Sequence, residues 1–599
     1  MDTYITHYLR LVTSEQLSLK VNEPAAITIE NLSTELFCTP RNVKFILRKL
    51  EAAGFICWQP GIGRGHHSKL TLLKSTDEVM EDHFLGLISN GKMKEAVELI
   101  GSLESWDLNG VIRQRLLRLL NQQMGFHSHM ETRSGQDVLR MMRSRRLGNL
   151  DPASVYTAFE TYLLGQICNT LITFDAQSGT FHPSLAHSWE CSEDYKMWVF
   201  YLRKGVRFHH GRIMTSADVQ STWQRLHEVQ SPSLWLYRDI EHTELDGDYC
   251  IRFYLHQPNR FFLHLFSCIP MTILPYDVDS SNQLIGTGPF QISELNNEVL
   301  VLRAFDSYYG LRPLLDQVYI WFVPNLGSQH RYYELQGKDH LKKSVNDETP
   351  KDIDYPALGC QYLLFNFQKP GVHHHLHFRQ ALRIVYDSAA LVAELGENLI
   401  TPASSFLPWR SAQQHWSEAS LDHASELLDS SGYQGETLIL SCTVNKDMRV
   451  AHWIQQRAAA IGLHIEVAAS IDNLQPEETS FADLIMAEEI LEQDWQYGMI
   501  HYFKTLSNQF NACMSTEQIS ILDDKLEPFA QLDEPDRISL LNEAEDILRL
   551  NCWILHGAHV NKRAQLNQSL SGLQTSDFGF MDISKIWIKQ QNKKRTSVQ

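Results

Sequence analysis

The stretch WQPGIGRGHHSKLTLL (58–73) combines a glycine-rich turn with basic and imidazole side chains, a combination that can bind phosphate or metal. Its notable residues are Gly61, Gly63, Arg64, Gly65, His66 and His67. The phosphate loop of a nucleotide-binding protein requires a strand before the glycines and a helix after them, whereas strand-like sequence follows here. Zinc at the two histidines would require further ligands at suitable spacing, and the sequence supplies none. We therefore expect the turn to contact a different kind of phosphate.

Carboxylates cluster in MAEEILEQDWQYG (486–498). They are Glu488, Glu489, Glu492 and Asp494. Paired carboxylates can serve as general acid and base in glycoside hydrolysis. No nucleophile elbow, metal-protease helix or Walker loop accompanies them in the sequence. The motifs therefore do not favour an enzyme, and we expect no catalytic residues.

Four histidines crowd the stretch GVHHHLHFRQ (371–380). They are His373, His374, His375 and His377. Adjacent histidines point in different directions and cannot all ligate one ion with good geometry. We expect a solvated loop here rather than a metal site, and we expect no cofactor.

Two helices precede the glycine turn and must position it. Apolar residues have helical spacing in two sets, Ile29, Leu32, Leu36 and Phe37, then Val43, Ile46, Leu47 and Leu50. Thr28 and Thr39 are placed to cap these helices, and Pro40 takes the first helical position, where proline is tolerated. Gly54 ends the second helix as a C-cap glycine.

Two strand-like runs, FICW (55–58) and SKLTLL (68–73), flank the glycine turn and predict a hairpin. Helix, turn, helix and hairpin in this order predict a winged helix-turn-helix over residues 1–75. Its second helix would enter a major groove, and its hairpin would be the wing.

The charge of this segment supports contact with DNA. Between residues 40 and 74, seven residues are basic and Glu51 alone is acidic, so the local balance is 7 − 1 = +6 in a chain of net charge −18. A positive segment within an acidic protein is the footprint expected for phosphate contact, although each cation alone could belong to a solvated helix face. The residues expected to contact DNA are Arg41, Asn42, Lys44, Arg48, Lys49, Arg64, His66 and Lys69.

The 599 residues exceed what one hydrophobic core can hold, so we expect several domains. Residues 76–125 have helical patterns on either side of Asn90-Gly91 and predict a helical connector. Residues 126–136 resemble a linker. Residues 137–599 alternate short strands and helices, which indicates an α/β domain.

The sequence predicts a cytoplasmic protein without a membrane segment. The N-terminus lacks the basic start, apolar stretch and cleavage site of a secretory signal, and no run of about 18 apolar residues occurs. The ten cysteines stand singly, with no CxxC pair. Scattered thiols fit a reducing compartment.

Several stretches of the α/β region carry a family resemblance. They are LGNLDPA (147–153), LAHSWECSEDYKMWVFYLRKGVRFHHGRIMTSADVQSTWQRL (185–226), GTGPFQI (286–292), YYGLRPLLDQVYIW (308–321) and LLFNFQKPGVHHHLHFRQALRIVYD (363–387). In this order they resemble the motifs of family 5 extracytoplasmic solute-binding proteins, the oligopeptide- and dipeptide-binding components of ABC importers. The resemblance implies a two-lobed, hinged α/β fold of the periplasmic-binding-protein type, with an extra domain and interleaved lobes that close on a ligand. Gly286 and Gly288 are expected to serve turns rather than ligand.

A winged helix joined to such a domain, with no export signal, is similar to the SgrR-type transcriptional regulators, and WQPGIGRGHHSKLTLL looks like their wing. That family is associated with sensing sugar-phosphate stress and with activating a small regulatory RNA and a neighbouring exporter gene. The resemblance implies a ligand-responsive regulator whose partners are double-stranded promoter DNA, a solute such as a sugar phosphate, and RNA polymerase. An alternative stays open, an ABC-transporter-type solute-binding protein for peptide or sugar with an N-terminal interaction domain.

The resemblance also suggests where the solute binds. The expected ligand contacts are Tyr156, Asn366, Asp494 and Trp495. In peptide-binding relatives an aspartate in the block around Asp494 holds the amino terminus of the ligand. The block here departs from the usual Asp-Tyr-Pro-Asp form. This departure argues against a peptide ligand.

Overall fold

The N-terminal unit is a winged helix-turn-helix, as the sequence predicts. The computed structural model describes residues 3–14, 16–61, 67–103, 110–127, 135–143, 145–155, 157–278, 284–323, 334–335, 351–396, 399–413, 420–443, 447–470, 476–505, 507–566, 570–572, 574 and 580–588. The elements of this unit are α1 (Thr3–Thr13), β1 (Ala25–Ile27), α2 (Ile29–Glu35), α3 (Pro40–Ala52), β2 (Ile56–Gln59) and β3 (Ser68–Leu72). The three strands form an antiparallel sheet in the order β1-β3-β2.

Helices α2 and α3 form where the sequence predicts them. The Thr28 hydroxyl accepts a hydrogen bond from the Asn31 amide at 3.1 Å, and Pro40 opens α3. The predicted apolar stripe of α3 is buried throughout. Gly54 follows α3 with φ +72°, a left-handed conformation that favours glycine. Phe37 differs from the prediction because it lies beyond α2, has a positive φ of 50° and is 81% exposed.

Helix α1 and strand β1 were not predicted from the sequence. Ile5, Tyr8 and Leu9 of α1 are fully buried, and the Tyr8 hydroxyl donates a hydrogen bond to the Lys74 carbonyl. The spacing of these three residues is the i, i+3, i+4 pattern of a helix packed on a core. That pattern was the available signal for α1.

Three helices follow the winged unit in the stretch that we call the connector. They are α4 (Thr76–Ser89), α5 (Met93–Ser102) and α6 (Gly110–Asn121). A capping box begins α4, in which the Ser75 hydroxyl and the Glu78 carboxylate each accept the other's backbone N–H. Ile112, Leu116 and Leu120 of α6 are fully buried.

The α/β region begins with β4 (Gly125–His127), β5 (Val138–Arg143) and α7 (Ala158–Ile167). Strand β4 pairs antiparallel with β5. The expected linker 126–136 therefore needs a correction, because its residues Phe126 and His127 belong to the sheet of the α/β region. The position of the boundary between the connector and the α/β region stays a prediction.

An inserted layer comes next in the chain. Its elements are β6 (Ile172–Asp175), β7 (Thr180–Pro183), β8 (Ala186–Cys191), β9 (Met197–Leu202), α8 (Ser216–Glu228), β10 (Ile240–Leu245), β11 (Cys250–Leu255) and α9 (Phe262–Leu265). Strands β6 and β7 form a hairpin, and the other four form an antiparallel sheet in the order β10-β11-β9-β8. This layer corresponds to the extra domain that the resemblance implies.

Strands β12 (Phe290–Leu295), β13 (Val299–Ala304) and β14 (Gln317–Phe322) complete the sheet of the first lobe, in the order β12-β13-β14-β5-β4. Side chains alternate between its two faces. Leu300 and Leu302 pack in the same core as α7, whereas Val299, Val301 and Trp321 pack in the core of the winged unit and connector. Both faces of this sheet are therefore covered, and the N-terminal unit supplies one of the covers.

The second lobe has a mixed sheet in the order β15-β22-β17-β21-β19-β20, with β16 and β18 also paired to β22. Its strands are β15 (Glu334–Leu335), β16 (Lys351–Pro356), β17 (Gly359–Phe365), β18 (Leu399–Pro402), β19 (Leu438–Thr443), β20 (Ile465–Ser470), β21 (Leu484–Ile490) and β22 (Ile554–Leu566). Its helices are α10 (Leu376–Val385), α11 (Ser388–Leu395), α12 (Pro408–Ser411), α13 (Leu421–Ser430), α14 (Met448–Ala460), α15 (Pro476–Thr479), α16 (Trp495–Lys504), α17 (Gln509–Cys513), α18 (Thr516–Leu526) and α19 (Glu534–Leu550). Of the helices described, none is long and apolar enough to cross a bilayer.

The chain returns to the first lobe after the second. A short pair of strands, β23 (Leu570–Ser571) and β24 (Trp587–Ile588), belongs to this return. Met581, Ile583 and Ile586 join the core formed by β5 and α7, and the Tyr162 hydroxyl donates to the Met581 carbonyl at 2.7 Å. The lobes are therefore interleaved in sequence, as the resemblance implies.

His209 ties two of the family motifs together. Its Nδ1 accepts the Gly286 amide at 3.3 Å, and its Nε2 lies 3.1 Å from the Gly288 carbonyl, so the neutral ring with a proton on Nε2 satisfies both contacts. A Cβ at Gly286 would lie 2.2 Å from the Ile167 carbonyl oxygen, so this turn requires glycine for close packing. Burial lowers the pKa of His209 to about 4.

This histidine predicts an acid-sensitive step in stability. The pKa in the folded protein lies below the ordinary value of about 6.5, so the stabilisation is complete above pH 6.5 and is lost as the pH falls towards 4. Between pH 7 and 5 we expect the His209 contribution to the free energy of unfolding to fall by about 2 kcal/mol. Urea unfolding at both pH values should show a smaller acid loss in His209→Gln than in the wild type. The neighbouring His210→Gln serves as the control, and an equal acid loss in all three proteins would contradict this role.

Candidate nucleic-acid interface and interlobe site

Helix α3 presents a polar, cationic face to solvent. Arg41, Asn42, Lys44, Arg48 and Lys49 are all exposed, because the apolar stripe of the helix takes the opposite side. A surface concavity of about 500 Å³ opens on this face. It is lined by Thr39, Arg41, Asn42, Lys44, Phe45 and Arg48. The structure thus brings the predicted DNA-contact residues of α3 onto one surface.

The electrostatics leave this face strongly positive. Across the part of the chain that the structure describes, no carboxylate pairs with Arg41, Lys44, Arg48, Lys49 or Lys69. The single acid of the segment, Glu51, accepts the Trp58 amide at 2.9 Å. A free cation on a surface keeps its full attraction for phosphate.

On the wing, the structure describes one of the three predicted DNA-contact residues, Lys69. Lys69 lies exposed on β3, opposite Gln59 of β2. Lys74 at the end of the hairpin is not free, since its ammonium lies 2.5 Å from the Asp82 carboxylate. Arg64 and His66 lie outside the described residues.

Phe45 is an exposed residue of α3 that was not among the predicted DNA contacts. Its side chain is 56% exposed on α3, and the Lys49 ammonium lies 4.8 Å from the centre of its ring. The signal was available, because helical geometry places position 45 opposite the buried stripe.

Asp494 lies at a contact between the inserted layer and the second lobe. One carboxylate oxygen accepts the Tyr497 amide at 3.3 Å and so caps α16, and the other contacts Nδ1 of His264 in α9. Both side chains are buried, and His264 stacks on Phe261 at 4.0 Å between ring centres. Asp494 therefore lies where the inserted layer meets the second lobe, with its carboxylate already engaged by an imidazole of the protein.

Trp495 begins α16 directly after Asp494. Its ring lies 5.7 Å from that of Trp409 in α12, at an interplanar angle of 74°. Trp495 is half-buried and Trp409 is 46% exposed. An aromatic pair with accessible ring surface can pack against an apolar ligand face.

Of the other two predicted ligand contacts, the structure describes Asn366 alone. Asn366 is buried, and its amide donates to the carbonyls of Ser480 at 3.2 Å and Ala482 at 2.9 Å. Its side chain thus ties β17 to the start of β21, a structural role. Tyr156 lies outside the described residues.

His374, His375 and His377 are exposed, but the first member of the cluster is buried, so the expectation of a solvated loop is wrong for His373. His373 is 1% exposed, and its Nε2 lies 2.8 Å from the Asn366 carbonyl. The His375 side chain instead caps α10, and His377 contacts Ser430 at 2.9 Å. Among the residues described, no group of three or more histidine, cysteine or acidic side chains is placed to hold a metal ion.

The two adjacent glutamates of the acidic stretch lie within β21. Glu488 is opposite Gln361 and Glu489 is opposite Cys360. Successive strand residues point to opposite faces, so these carboxylates do not form a facing pair. Burial and then the nearby charge of Glu488 raise the pKa of Glu489 to about 8.

Two known families match the chain, one in its N-terminal region and one in its middle. Residues 180–500 match the family described as bacterial extracellular solute-binding proteins, family 5 middle. Residues 4–123 match the sugar transport-related sRNA regulator N-terminal family. The second match covers the winged unit and the connector together.

Three relatives extend the match. An uncharacterised protein of Bacillus subtilis, YhjP, is 31% identical over 98% of this chain and 100% of its own length. The HTH-type transcriptional regulator SgrR of Photorhabdus laumondii is 26% identical over 94% of this chain and 95% of its own. The SgrR of Yersinia pestis is 31% identical over 57% of this chain and 58% of its own.

Solved structures agree on the fold of the C-terminal region. A dipeptide-binding protein of Pseudoalteromonas in complex with Met-Leu has a TM-score of 0.65 and 18% identity, over 76% of this chain and 100% of its own. NikA of Staphylococcus aureus in complex with Ni(L-His)2 has a TM-score of 0.64 and 16% identity, over 76% and 100%. The chain belongs to the SgrR-type transcriptional regulators, in which an N-terminal regulator domain precedes a family 5 solute-binding domain.

Proposed function

We propose that this chain is a cytoplasmic regulator that binds promoter DNA through α3 and the wing and senses a solute between the lobes. The observation that carries the proposal is the cationic face of α3. Its cations have no acidic partner among the described residues, although the chain as a whole has a net charge of −18. A local positive surface on an acidic protein attracts a polyanion and directs it to that surface.

Helix α3 is the recognition helix of this proposal. A major groove about 12 Å wide accepts an α-helix, and side chains on the outer face of the helix reach base edges and phosphates. Lys69 on β3 extends the positive surface to the wing. The predicted contacts Arg64 and His66 would act at the wing tip.

The apolar packing suggests how a solute could influence DNA binding. The winged unit, the connector and one face of the first-lobe sheet share a single core, and Lys94 of α5 also lies 3.2 Å from Glu298 beside β13. The DNA-binding surface is thus attached to the first lobe. A solute that closes the second lobe onto the first would change the shape presented to DNA or to RNA polymerase. The solute can shift the equilibrium between the open and closed states only by the difference between its affinities for the two.

The solute would bind beside Asp494 and Trp495. Because the Asp494 carboxylate contacts His264, a solute with a cationic group would have to displace the imidazole. An anionic or neutral solute could instead bind next to the imidazole and the Trp409–Trp495 pair. This supports a sugar phosphate, which the regulator family is associated with, over a peptide amine.

The proposal is tested with the full chain and a pool of random duplexes. The protein should select duplexes that it binds with nanomolar affinity, and log K should fall with log salt by about 0.9 for each phosphate contacted. Glucose 6-phosphate and the dipeptide Met-Leu are then added separately, and fluorescence anisotropy of a selected duplex measures the change. Failure to enrich any duplex would contradict DNA binding. Enrichment with a response to Met-Leu alone would contradict the sugar-phosphate part.

A further inference from the structure

We propose that Phe45 reads sequence by placing its ring against the 5-methyl group of a thymine in the major groove. Arg41 and Arg48 would read base edges on either side of it. This inference rests on the proposed function, since it assigns a task to one residue of the DNA-binding face.

The position of Phe45 on the helix is the first argument. At about 100° per residue, Arg41, Phe45 and Arg48 lie within about 30° of the direction opposite the buried stripe. By the same rotation, Asn42, Lys44 and Lys49 lie about 70–90° away from that direction, on one side of it or the other. Two arginines and a phenylalanine therefore occupy the centre of the exposed face, and lysines and an asparagine occupy its flanks.

The shape of the groove assigns different partners to these positions. A helix lying in the major groove directs the centre of its outer face to the base edges and its flanks to the phosphates on either side. Arginine at the centre pairs with guanine O6 and N7. The thymine methyl is the apolar group that this groove displays, and it matches a phenylalanine ring.

The surroundings of the ring are the second argument. Phe45 is a large apolar side chain 56% exposed to water, and it lines the same concavity as Arg41 and Arg48. The Lys49 ammonium lies 4.8 Å from the ring centre and makes a cation–π contact with the ring from the flank of the face. Phe37 is more exposed but lies outside the helix, beneath the Arg10 guanidinium at 5.2 Å, and so is not on this face.

The experiment replaces each thymine of a selected duplex in turn by deoxyuridine, which lacks only the 5-methyl group. We expect wild-type affinity to fall about three- to fivefold at one position, the value of one buried methyl group. Phe45→Ala should bind the thymine duplex more weakly and be indifferent to deoxyuridine there. Phe45→Leu, which keeps an apolar end, should keep part of the discrimination.

The matched control is Phe481→Ala, which removes an exposed ring of the second lobe. It should discriminate thymine from deoxyuridine as the wild type does. If the wild type binds its duplex tightly but ignores every substitution, or if Phe45→Ala keeps the full discrimination, the assignment of Phe45 is overturned while DNA binding stands. If no duplex is enriched, both are overturned.

Discussion

Replacing Arg41 and Arg48 together with alanine should lower the affinity for a selected duplex by about 100- to 1000-fold. Each arginine that pairs with a base contributes about 1–3 kcal/mol of discrimination, and about 1.4 kcal/mol corresponds to a tenfold change in affinity. Both guanidinium groups are exposed at the centre of the α3 face and lack an acidic partner among the described residues, so neither has a structural role that its removal would disturb. Anisotropy with selected and scrambled duplexes measures the effect.

A second pair of changes separates base reading from charge. Lys44→Ala with Lys69→Ala removes two cations that we place against phosphates. This variant should lose affinity for all duplexes alike and reduce the salt slope by about two units. The arginine variant should instead lose most on the selected duplex, so its preference over scrambled DNA falls. Equal losses on both duplexes in the arginine variant would show that Arg41 and Arg48 contact only the backbone.

Replacing Asp494 with alanine should destabilise the protein by about 2–4 kcal/mol, because the buried His264 loses its hydrogen-bond partner, a loss of about 1–3 kcal/mol, and α16 loses its cap. The change leaves the His264 imidazole buried against Phe261 without its carboxylate. It also removes the cap of α16, which accounts for about 1 kcal/mol of the loss. Asp494→Asn keeps a capping side chain, so it should destabilise the protein less than Asp494→Ala. Urea unfolding followed by tryptophan fluorescence gives the free energies.

The control for this prediction is an ion pair on the surface. Lys525 and Glu543 also pair, but their side chains are 35% and 52% exposed, so Glu543→Ala should cost much less than Asp494→Ala. A double-mutant cycle of His264→Ala and Asp494→Ala then isolates their coupling. If Asp494→Ala costs no more than Glu543→Ala, the contact between the inserted layer and the second lobe is not held by this pair.

The packing of the N-terminal unit changes how its independence should be tested. Residues 1–75 look like a separable domain in the sequence, because they hold a complete winged helix. In the structure, Tyr8 contacts Lys74, and the same core continues through the connector to Val299 and Trp321. Removing the winged unit would expose that apolar surface, so substitutions on α3 test DNA binding more cleanly than a deletion does.

Local signals explain what could be predicted. The stripe of α3, its proline start and its glycine end are set by residues within one turn of each other, and the structure confirms them. The connector helices follow from the same kind of spacing. The family motifs predicted the two-lobed fold, because their turns and strands carry a long and specific pattern.

Long-range contacts explain what could not be predicted. Asp494 meets His264 across 230 residues of sequence, and no local spacing relates them. Asn366 was expected to contact ligand and His373 to lie in a solvated loop, yet both are buried and hydrogen-bonded to backbone carbonyls. The apolar runs of β13 and β14 could pack against several different elements, and their sequence does not indicate that the connector covers one face of their sheet.

Helix, turn and charge patterns are local, so the amino-acid sequence was enough to predict a basic helix followed by a hairpin, ahead of a solute-binding region. Which side chains remain available to a partner depended on how distant parts of the chain pack together. That packing buried Asn366, engaged Asp494 with a histidine of another layer and left Phe45 exposed between two arginines. The reason is physical, since burial and pairing depend on surfaces that meet only when the chain has folded.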